Sequence, residues 1–239
     1  MDCQEEGAYL MNSQEVLDHG YVKYVEHWGS DERIIESARM STNKGFEGWD
    51  KDAKLLKYLY THKHLTPFEM CGATLEIKAP IFIFREWHRH RTQSYNEMSA
   101  RYIPMPDENY IPSIDRIGFL GRKAGNKQSD GEALSIEAAA DFQQMLALFY
   151  KAAQSSYETA LNDLKVPKEL ARLVVPVGRY SKMRASANLR NWMQFLSLRL
   201  DPAAQWEIQQ YAGKVGNVLS GLFPRSMELF LDEKYGETP

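Results

Sequence analysis

Strict alternation of apolar and polar side chains over residues 73 to 79 constrains the fold more than any other feature of this chain. The apolar positions are Ala73, Leu75, Ile77 and Ala79, and the polar ones are Thr74, Glu76 and Lys78. This period of two is typical of a strand that packs one face against a core. Pro80 follows at once, and proline is favoured in the first turn of a helix. The pattern predicts a half-exposed strand that leads into a short helix reaching about Arg89.

The rest of the chain divides into a mixed first half and a helix-rich second half. The first half begins with a polar lead-in over residues 1–19 and a strand over 21–28. Two helices follow, over 31–39 and 50–62, with a loop between them over 41–49. Glycines and polar residues over 113–132 predict an exposed loop or insertion. In the second half, apolar periodicity and prolines predict helices over 135–164, 167–174, 189–200 and 203–222 and from 224 on, with an extended stretch after Pro176. We therefore predict one α+β domain over residues 1–239, with a mixed β-sheet.

Composition excludes several functional classes. The 239 residues carry a formal net charge of -3 and are 44% hydrophobic, which is ordinary for a globular protein. Broad nucleic-acid binding normally needs a basic surface, so we expect no nucleic-acid partner. No apolar run is long enough to cross a bilayer, and the acidic N-terminus is unlike a signal peptide. The two cysteines cannot form a disulfide framework, which favours a cytoplasmic location.

Residues 85 to 102 form the most informative segment for function, with the sequence REWHRHRTQSYNEMSARY. Its clustered arginines offer rigid forks of donors that match phosphate and carboxylate oxygens. Short polar side chains between them, at Ser94, Asn96, Glu97 and Ser99, could orient a base or a sugar. We expect the part after Arg89 to be an irregular loop, and the segment as a whole to bind a phosphorylated ligand.

Other candidate chemistry in the sequence is weaker. The pairs His62/His64 and His88/His90 have metal-ligand spacing, but the arginines around the second pair would repel a cation, so we expect no metal. Cys71 has no neighbouring base in sequence to activate it, and a buried structural role is favoured. Ser94 and Ser99 lack triad spacing and are better interpreted as hydrogen-bonding groups. Neither a Rossmann glycine motif nor a P-loop occurs.

The predicted helix over 189–200 allows two interpretations. Asn188, Trp192, Phe195 and Arg199 fall on one stripe of this helix. The aromatic residues could be core, with the arginines reaching out to water. They could equally face a flat heteroaromatic ligand. The sequence chemistry does not decide between these interpretations.

Taken in order, these segments resemble the flavin-dependent thymidylate synthases. Their hallmark is Arg-His-Arg followed, after a fixed spacing, by Ser, and here Arg89-His90-Arg91, the stretch from Thr92 to Met98 and then Ser99 fit it. Upstream, residues 64–69 read HLTPFE and match a second family element. Further motifs match in order downstream, at Ala171-Arg172, Asn188-Leu189-Arg190, Leu198-Arg199 and residues 205–208.

The resemblance implies an enzyme that converts dUMP to dTMP. The methylene group would come from methylenetetrahydrofolate, and the hydride from reduced FAD that NADPH regenerates. It also implies a homotetramer in which FAD and dUMP bind where subunits meet. Arg199 would be the catalytic residue, stabilising a uracil anion. An arginine is unsuited to act as a base because its pKa stays above about 12.

The resemblance also implies binding roles for further residues. Those implied to bind FAD are Ser41, Thr66, Glu69, Arg89, His90, Arg91, Glu97, Asn188, Leu189, Arg190 and Gln194. Those implied to bind dUMP are Glu86, Arg89, Glu97, Met98, Ser99, Ala100, Arg101, Arg172 and Arg199.

The sequence departs from the family pattern at four positions, Met70, Glu86, Gln194 and Ala203. The most notable is Glu86, which replaces a common glutamine at the dUMP end, where a carboxylate would need an arginine partner. The other three bear on how the flavin is held and tuned. Two rival functions therefore stay open, a flavin-binding protein that does not methylate and a nucleic-acid-binding module.

Overall fold

The structure, a computed structural model, describes residues 13–118 and 134–236, and its centre is a five-stranded sheet. The strands are β1 (Gln14–Val16), β2 (Gly20–Trp28), β3 (Gly72–Pro80), β4 (Ser94–Glu97) and β5 (Tyr180–Asn188). They lie in the order β1-β2-β3-β5-β4, and every neighbouring pair is antiparallel. The α+β class is confirmed. The prediction of a mixed sheet is wrong, because the connections between strands bring neighbouring strands into opposite directions, so the sheet of the described residues contains no parallel pair.

Strand β3 is the central strand and its apolar face lies in the core. Ala73, Leu75, Ile77 and Ala79 are fully buried, as the alternation predicts. The opposite face is less exposed than predicted, because β2 and β5 flank it on both sides. Thr74 is also buried there and donates its hydroxyl to Ser186 of β5 over 3.0 Å. The alternation located the strand but did not show that it is internal.

Nine α-helices surround the sheet in the described part of the chain. They are α1 (Asp31–Ala38), α2 (Trp49–Thr61), α3 (Ile81–Trp87), α4 (Ile114–Gly118), α5 (Ile136–Glu158), α6 (Lys168–Ala171), α7 (Leu189–Arg199), α8 (Trp206–Leu222) and α9 (Pro224–Tyr235). Short 3-10 turns cover Arg39–Thr42, Thr66–Met70 and Arg172–Val174, and a π-helical turn, Thr159–Asp163, extends α5. The helix-rich second half is therefore confirmed.

Four local predictions need correction. Residues 14–16, in the predicted lead-in, form an edge strand because Val16 packs into the core. Residues 94–97 form β4 instead of an irregular loop, because their backbone pairs with β5. The pattern Thr66-Pro67-Phe68-Glu69 is typical of a helix cap, but Thr66 makes no capping hydrogen bond with its side chain, since the segment is a 3-10 turn that starts after Leu65. Residues 114–118 form a helix whose Ile117 is buried, and residues 119–132 of the predicted loop lie outside the described residues.

Helix α5 carries a wide apolar surface that no described residue covers. Its outward residues Phe142, Met145, Leu148 and Phe149 are between 41% and 62% exposed. Scattered exposed apolar side chains are normal, but a contiguous stripe marks an interaction surface. Among the described residues, no helix is long and apolar enough to cross a lipid bilayer.

Candidate functional site

A first cleft of about 580 Å³ opens beside the junction of β4, β5 and α3. Its walls include Arg85 of α3 and His88 just after that helix, Arg172 and Ser181, together with Glu97, Met98, Ser99 and Ala100. The pairing of β4 with β5 places the last four, because the Met98 N–H donates to the carbonyl of Lys182 over 2.8 Å. The Glu97 carboxylate accepts the Ser181 hydroxyl at 2.9 Å, which holds one acceptor at the cleft wall.

A second cleft of about 820 Å³ lies on the other side of Arg85. It is lined by Arg85, Glu86, Arg89, Leu198, Arg199, Asp201, Ala203, Ala204 and Gln205. Arg85 lies in the last turn of α3 and Arg89 in the turn that follows it, because the helix ends at Trp87, two residues before the predicted end. Within residues 13–118 and 134–236, neither has a carboxylate within 4.0 Å. The two guanidinium groups are therefore available to an anionic ligand.

Arg199, the last residue of α7, is held at the second cleft by three hydrogen bonds. Its Nε donates to Nε2 of His90 at 2.8 Å, and its Nη2 donates to the carbonyl of Glu86 at 2.8 Å. Its Nη1 donates to the Glu86 carboxylate at 3.1 Å. The side chain is 17% exposed, so the guanidinium is largely enclosed yet still reaches the cleft.

The environment of Arg199 shifts the ionisation of both of its partners. Burial, reinforced by the Arg199 charge, lowers the pKa of His90 to about 4. The imidazole is therefore neutral near pH 7, as its role as acceptor requires. Burial raises the pKa of Glu86, and the nearby Glu207 acts in the same direction while Arg199 opposes both. Among residues 13–118 and 134–236, Arg199 is the counter-charge that favours the ionised form of Glu86.

A third group of predicted residues surrounds the N-terminus of α7. Asn188 caps the helix, because its side-chain oxygen accepts the Asn191 N–H at 2.9 Å. Arg190 is exposed and forms an ion pair with Glu69, which joins the 3-10 turn Thr66–Met70 to α7. Leu189 is buried, and its N–H donates to the carbonyl of Cys71 at 2.8 Å. Thr66 and Gln194 are exposed nearby on these two elements.

The structure does not bring every predicted site residue into a cleft. Ser41 lies in an exposed 3-10 turn, and Arg91 is exposed just after α3; both lie outside the two clefts. Arg101 lies beyond the first cleft, where its Nε is 3.4 Å from the Glu169 carboxylate. His90 is only 7% exposed and faces Arg199.

Several lining residues were not among the predicted site residues. Arg85 could have been found, because it is one turn before Arg89 on the same predicted helix. Ser181 could not, since it reaches the first cleft only through the pairing of β5 with distant strands. His88 lines the first cleft with its ring stacked near Phe84, with 6.3 Å between the ring centroids.

The structure decides the interpretation of α7 that the sequence left open, and it confirms the expected burial of Cys71. Trp192 and Phe195 are fully buried, and the Trp192 indole donates to the carbonyl of Ala73 at 3.0 Å, so both aromatic side chains belong to the core. Cys71 is also fully buried, and burial raises the pKa of its thiol to about 12. A thiol in that state is a poor nucleophile at neutral pH.

Known proteins resemble this chain over most of its length. The family model described as "Thymidylate synthase complementing protein" matches residues 23–225. The flavin-dependent thymidylate synthase of Thermosipho melanesiensis is 39% identical over 222 residues, covering 92% of this chain and 94% of that protein. The enzyme of the same name from Thermus thermophilus is 39% identical over 217 residues, covering 90% of this chain and 77% of that protein.

Two solved structures have the same fold as this chain. The UMP/dUMP methylase PolB from Streptomyces cacaoi, bound with 5-Br dUMP, superimposes with a TM-score of 0.81 and 30% identity, over 95% of this chain and all of that one. A second structure of PolB, bound with 5-Br UMP, gives a TM-score of 0.80 and 31% identity, with 94% and 99% coverage.

Proposed function

This chain belongs to the flavin-dependent thymidylate synthase family, and on that premise we propose that it is an FAD-containing enzyme that methylates dUMP to dTMP. One observation carries the assignment to this particular chain. Residues predicted to bind substrate come from four separate segments of the sequence, and most of them line two neighbouring clefts that share Arg85. A cytoplasmic location and a single domain over residues 1–239 are part of the proposal.

The proposed reaction replaces the hydrogen on C5 of uracil by a methyl group. The carbon comes from methylenetetrahydrofolate, and NADPH supplies the two electrons and the hydride through FAD. The products are dTMP, tetrahydrofolate and NADP⁺. When bound, the flavin carries the hydride between NADPH and the one-carbon unit.

The dUMP phosphate and sugar fit the first cleft. Arg172 offers a cationic fork, and Ser99 and the backbone around Met98 and Ala100 offer short hydrogen-bonding groups. Glu97, held by Ser181, offers an acceptor to a sugar hydroxyl. Arg101 stands close enough in sequence to join them if its exposed pair with Glu169 opens. An exposed ion pair contributes about 0–1 kcal/mol, so opening it is inexpensive.

The residues of the second cleft and the α7 N-terminus fit FAD. A dinucleotide cofactor carries a pyrophosphate, and Arg89 lines the cleft without a carboxylate partner among the described residues. Further exposed polar groups come from Arg91, Arg190, Thr66 and Gln194, and the ion-paired Glu69 is partly exposed beside them. Asn188 and Leu189 fix the helix start that carries Arg190. We propose that His90 supports the second cleft through its contact with Arg199, and that the exposed Ser41 contributes to FAD binding as the family resemblance implies.

Arg199 supplies the activating charge in this proposal. A guanidinium stays protonated at every working pH, so it stabilises a uracil anion without acting as a base. The partly enclosed position of Arg199 strengthens that interaction, since fewer water molecules screen it. A more electron-rich uracil C5 can then attack the one-carbon unit directly, with no covalent bond to the enzyme. The buried Cys71 agrees with that route.

We propose a homotetramer in which sites are shared between subunits. The exposed apolar stripe of α5 is a surface that such an assembly would bury. The α7 N-terminus and the first cleft, both implied to bind ligands of one reaction, lie on different parts of the subunit, and a neighbouring subunit could complete either.

A visible spectrum of the purified protein tests this function. Oxidised flavin absorbs visible light, and addition of NADPH under anaerobic conditions should bleach this absorption band, with a rate that depends on dUMP. Protein that binds no flavin after reconstitution would rule the proposal out. Bleaching without any dTMP would favour the rival flavin-binding protein. UMP should be included as a competitor, because PolB is described as acting on both nucleotides.

A further inference from the structure

Glu86 provides two of the three hydrogen bonds that hold Arg199. Its carboxylate accepts from Nη1 and its backbone carbonyl accepts from Nη2, and His90 supplies the third acceptor at Nε. All three nitrogens of the guanidinium are therefore engaged by one short segment of chain, Glu86 to His90.

These three hydrogen bonds restrict the Arg199 guanidinium to one orientation. A guanidinium is planar with five N–H donors, so three contacts leave about two N–H groups for a ligand. Glu86 lies within α3, whose Phe84 and Trp87 are buried, so its backbone carbonyl is fixed. Because the three acceptors are fixed around the plane, the two remaining donors have a defined direction, and they belong to a side chain that lines the second cleft.

The negative charge of Glu86 also holds the Glu86 and Arg199 side chains together. The ionisable groups around its carboxylate are Arg199 and His90, the cleft residues Arg85, Arg89 and Asp201, and Glu207 of α8. Arg199 is the only one of these within ion-pair distance. The carboxylate is partly enclosed, with 27% of its side chain exposed, and such a charge without a partner is unfavourable. The Glu86 carboxylate is therefore paired with Arg199, and its negative charge makes it a poor neighbour for a nucleotide phosphate.

We propose that Glu86 is a positioning residue for Arg199: it fixes the direction of the guanidinium and affects turnover through Arg199 instead of binding dUMP. This inference rests on the proposed dUMP methylation. It differs from the substrate-contact role that the family resemblance implies for this position. The two roles separate in kinetics, since loss of positioning lowers kcat whereas loss of a substrate contact weakens dUMP binding.

The test is a double-mutant cycle on Glu86 and Arg199, with kcat for dTMP formation and the calorimetric Kd for dUMP measured for each protein. We expect Glu86→Ala to lower kcat about 30-fold and to change the dUMP Kd less than about 3-fold. Glu86→Gln keeps an acceptor oxygen but loses the charge, so we expect a smaller loss of about 5-fold. Glu86→Ala should add no loss to Arg199→Ala, because contacting residues that act as a unit are not additive.

Two results would overturn the inference. One is a tenfold weaker dUMP Kd with unchanged kcat in Glu86→Ala, which is the signature of a substrate contact. The other is independent, multiplying losses in the double variant. If Glu86→Ala fails to fold, the same comparison is made with Glu86→Gln in the Arg199→Ala background. Glu36→Gln, which removes the carboxylate partner of Arg33 on the surface of α1, is the matched control and should change neither value. Wild-type protein that forms no dTMP would refute the proposed function itself, which separates the two failures.

Discussion

Arg199 donates its Nε–H to Nε2 of His90 over 2.8 Å, although the two residues are 109 positions apart in the chain. The contact fixes the tautomer of the imidazole, because a nitrogen that accepts cannot carry the proton. His90 is therefore neutral with its proton on Nδ1. A buried imidazole between Phe195 and Arg199 thus links the Arg-His-Arg segment to the end of α7.

This link predicts that acid destabilises the protein through His90. The folded-state pKa is about 4 against an unfolded value of about 6.5, so the unfolded chain binds the proton more tightly. His90 should contribute its full stability above pH 6.5 and lose it as the pH falls toward 4. We expect a loss of about 1 kcal/mol between pH 7.5 and pH 5, after reduction for partial solvent access.

Urea unfolding at both pH values checks this expectation. His90→Gln, which keeps an acceptor at the position of Nε2 but does not titrate, is the matched variant. Between pH 7.5 and pH 5 the free energy of unfolding should fall in both proteins, and the fall should be about 1 kcal/mol smaller in His90→Gln than in the wild type. Equal pH dependence in the two proteins would contradict the assigned state of His90.

Removal of the Cys71 thiol should leave turnover nearly unchanged. The side chain is fully buried and its thiol pKa is raised to about 12, so it has neither the access nor the ionisation of a nucleophile. We expect Cys71→Ala to keep kcat within about 2-fold and to lower the free energy of unfolding by about 1–2 kcal/mol through the small cavity. Steady-state kinetics and urea unfolding measure the two effects. Loss of dTMP formation in a folded variant would assign chemistry to the thiol.

The sequence predicted the elements of this fold better than their arrangement. The alternation over 73–79 located β3, and the prolines located the helices, because these are local signals. Pairing is not local: β4 was predicted as a loop because four residues next to an arginine-rich segment have no strand pattern of their own, and β5 supplies their partners. For the same reason Ser181 and the Glu86–Arg199 pair could not be found from spacing. The sequence did predict binding or catalytic roles for Arg89, Arg172 and Arg199. Side-chain chemistry and the order of motifs can be read from the sequence without knowledge of the fold.

Truncation of Arg172 should weaken dUMP binding more than it slows turnover. Arg172 lines the first cleft, and among the described residues its side chain makes one hydrogen bond, from Nε to the carbonyl of Glu169 at 3.2 Å, so most of its fork is open to a phosphate. We expect Arg172→Ala to raise the dUMP Kd about 10- to 100-fold, the size of a lost charge-assisted bond. Calorimetry at fixed salt measures this change. Arg33→Ala on the surface of α1 serves as the control, and an equal Kd for both variants would remove Arg172 from the site.

A charge placed on the α5 stripe should break the proposed assembly. Met145 is 59% exposed in the centre of the stripe, and burying a glutamate there without a partner is unfavourable by several kcal/mol. We expect Met145→Glu to shift the molar mass in light scattering from tetramer to smaller species and to lower activity with it. Ala147→Glu adds the same charge to the same helix outside the stripe and should stay assembled. Identical masses for both variants, at the value of the wild type, would refute α5 as the interface.

Product analysis tests the central claim most directly. Purified protein reconstituted with FAD is incubated with dUMP, methylenetetrahydrofolate and NADPH, and the nucleotides are identified by mass spectrometry. The account predicts dTMP and NADP⁺ in a one-to-one ratio, with no dTMP when FAD, NADPH or the folate is omitted and about a hundredfold less when Arg199 is replaced by alanine. Absence of dTMP from the complete mixture, or its formation without flavin, would contradict it.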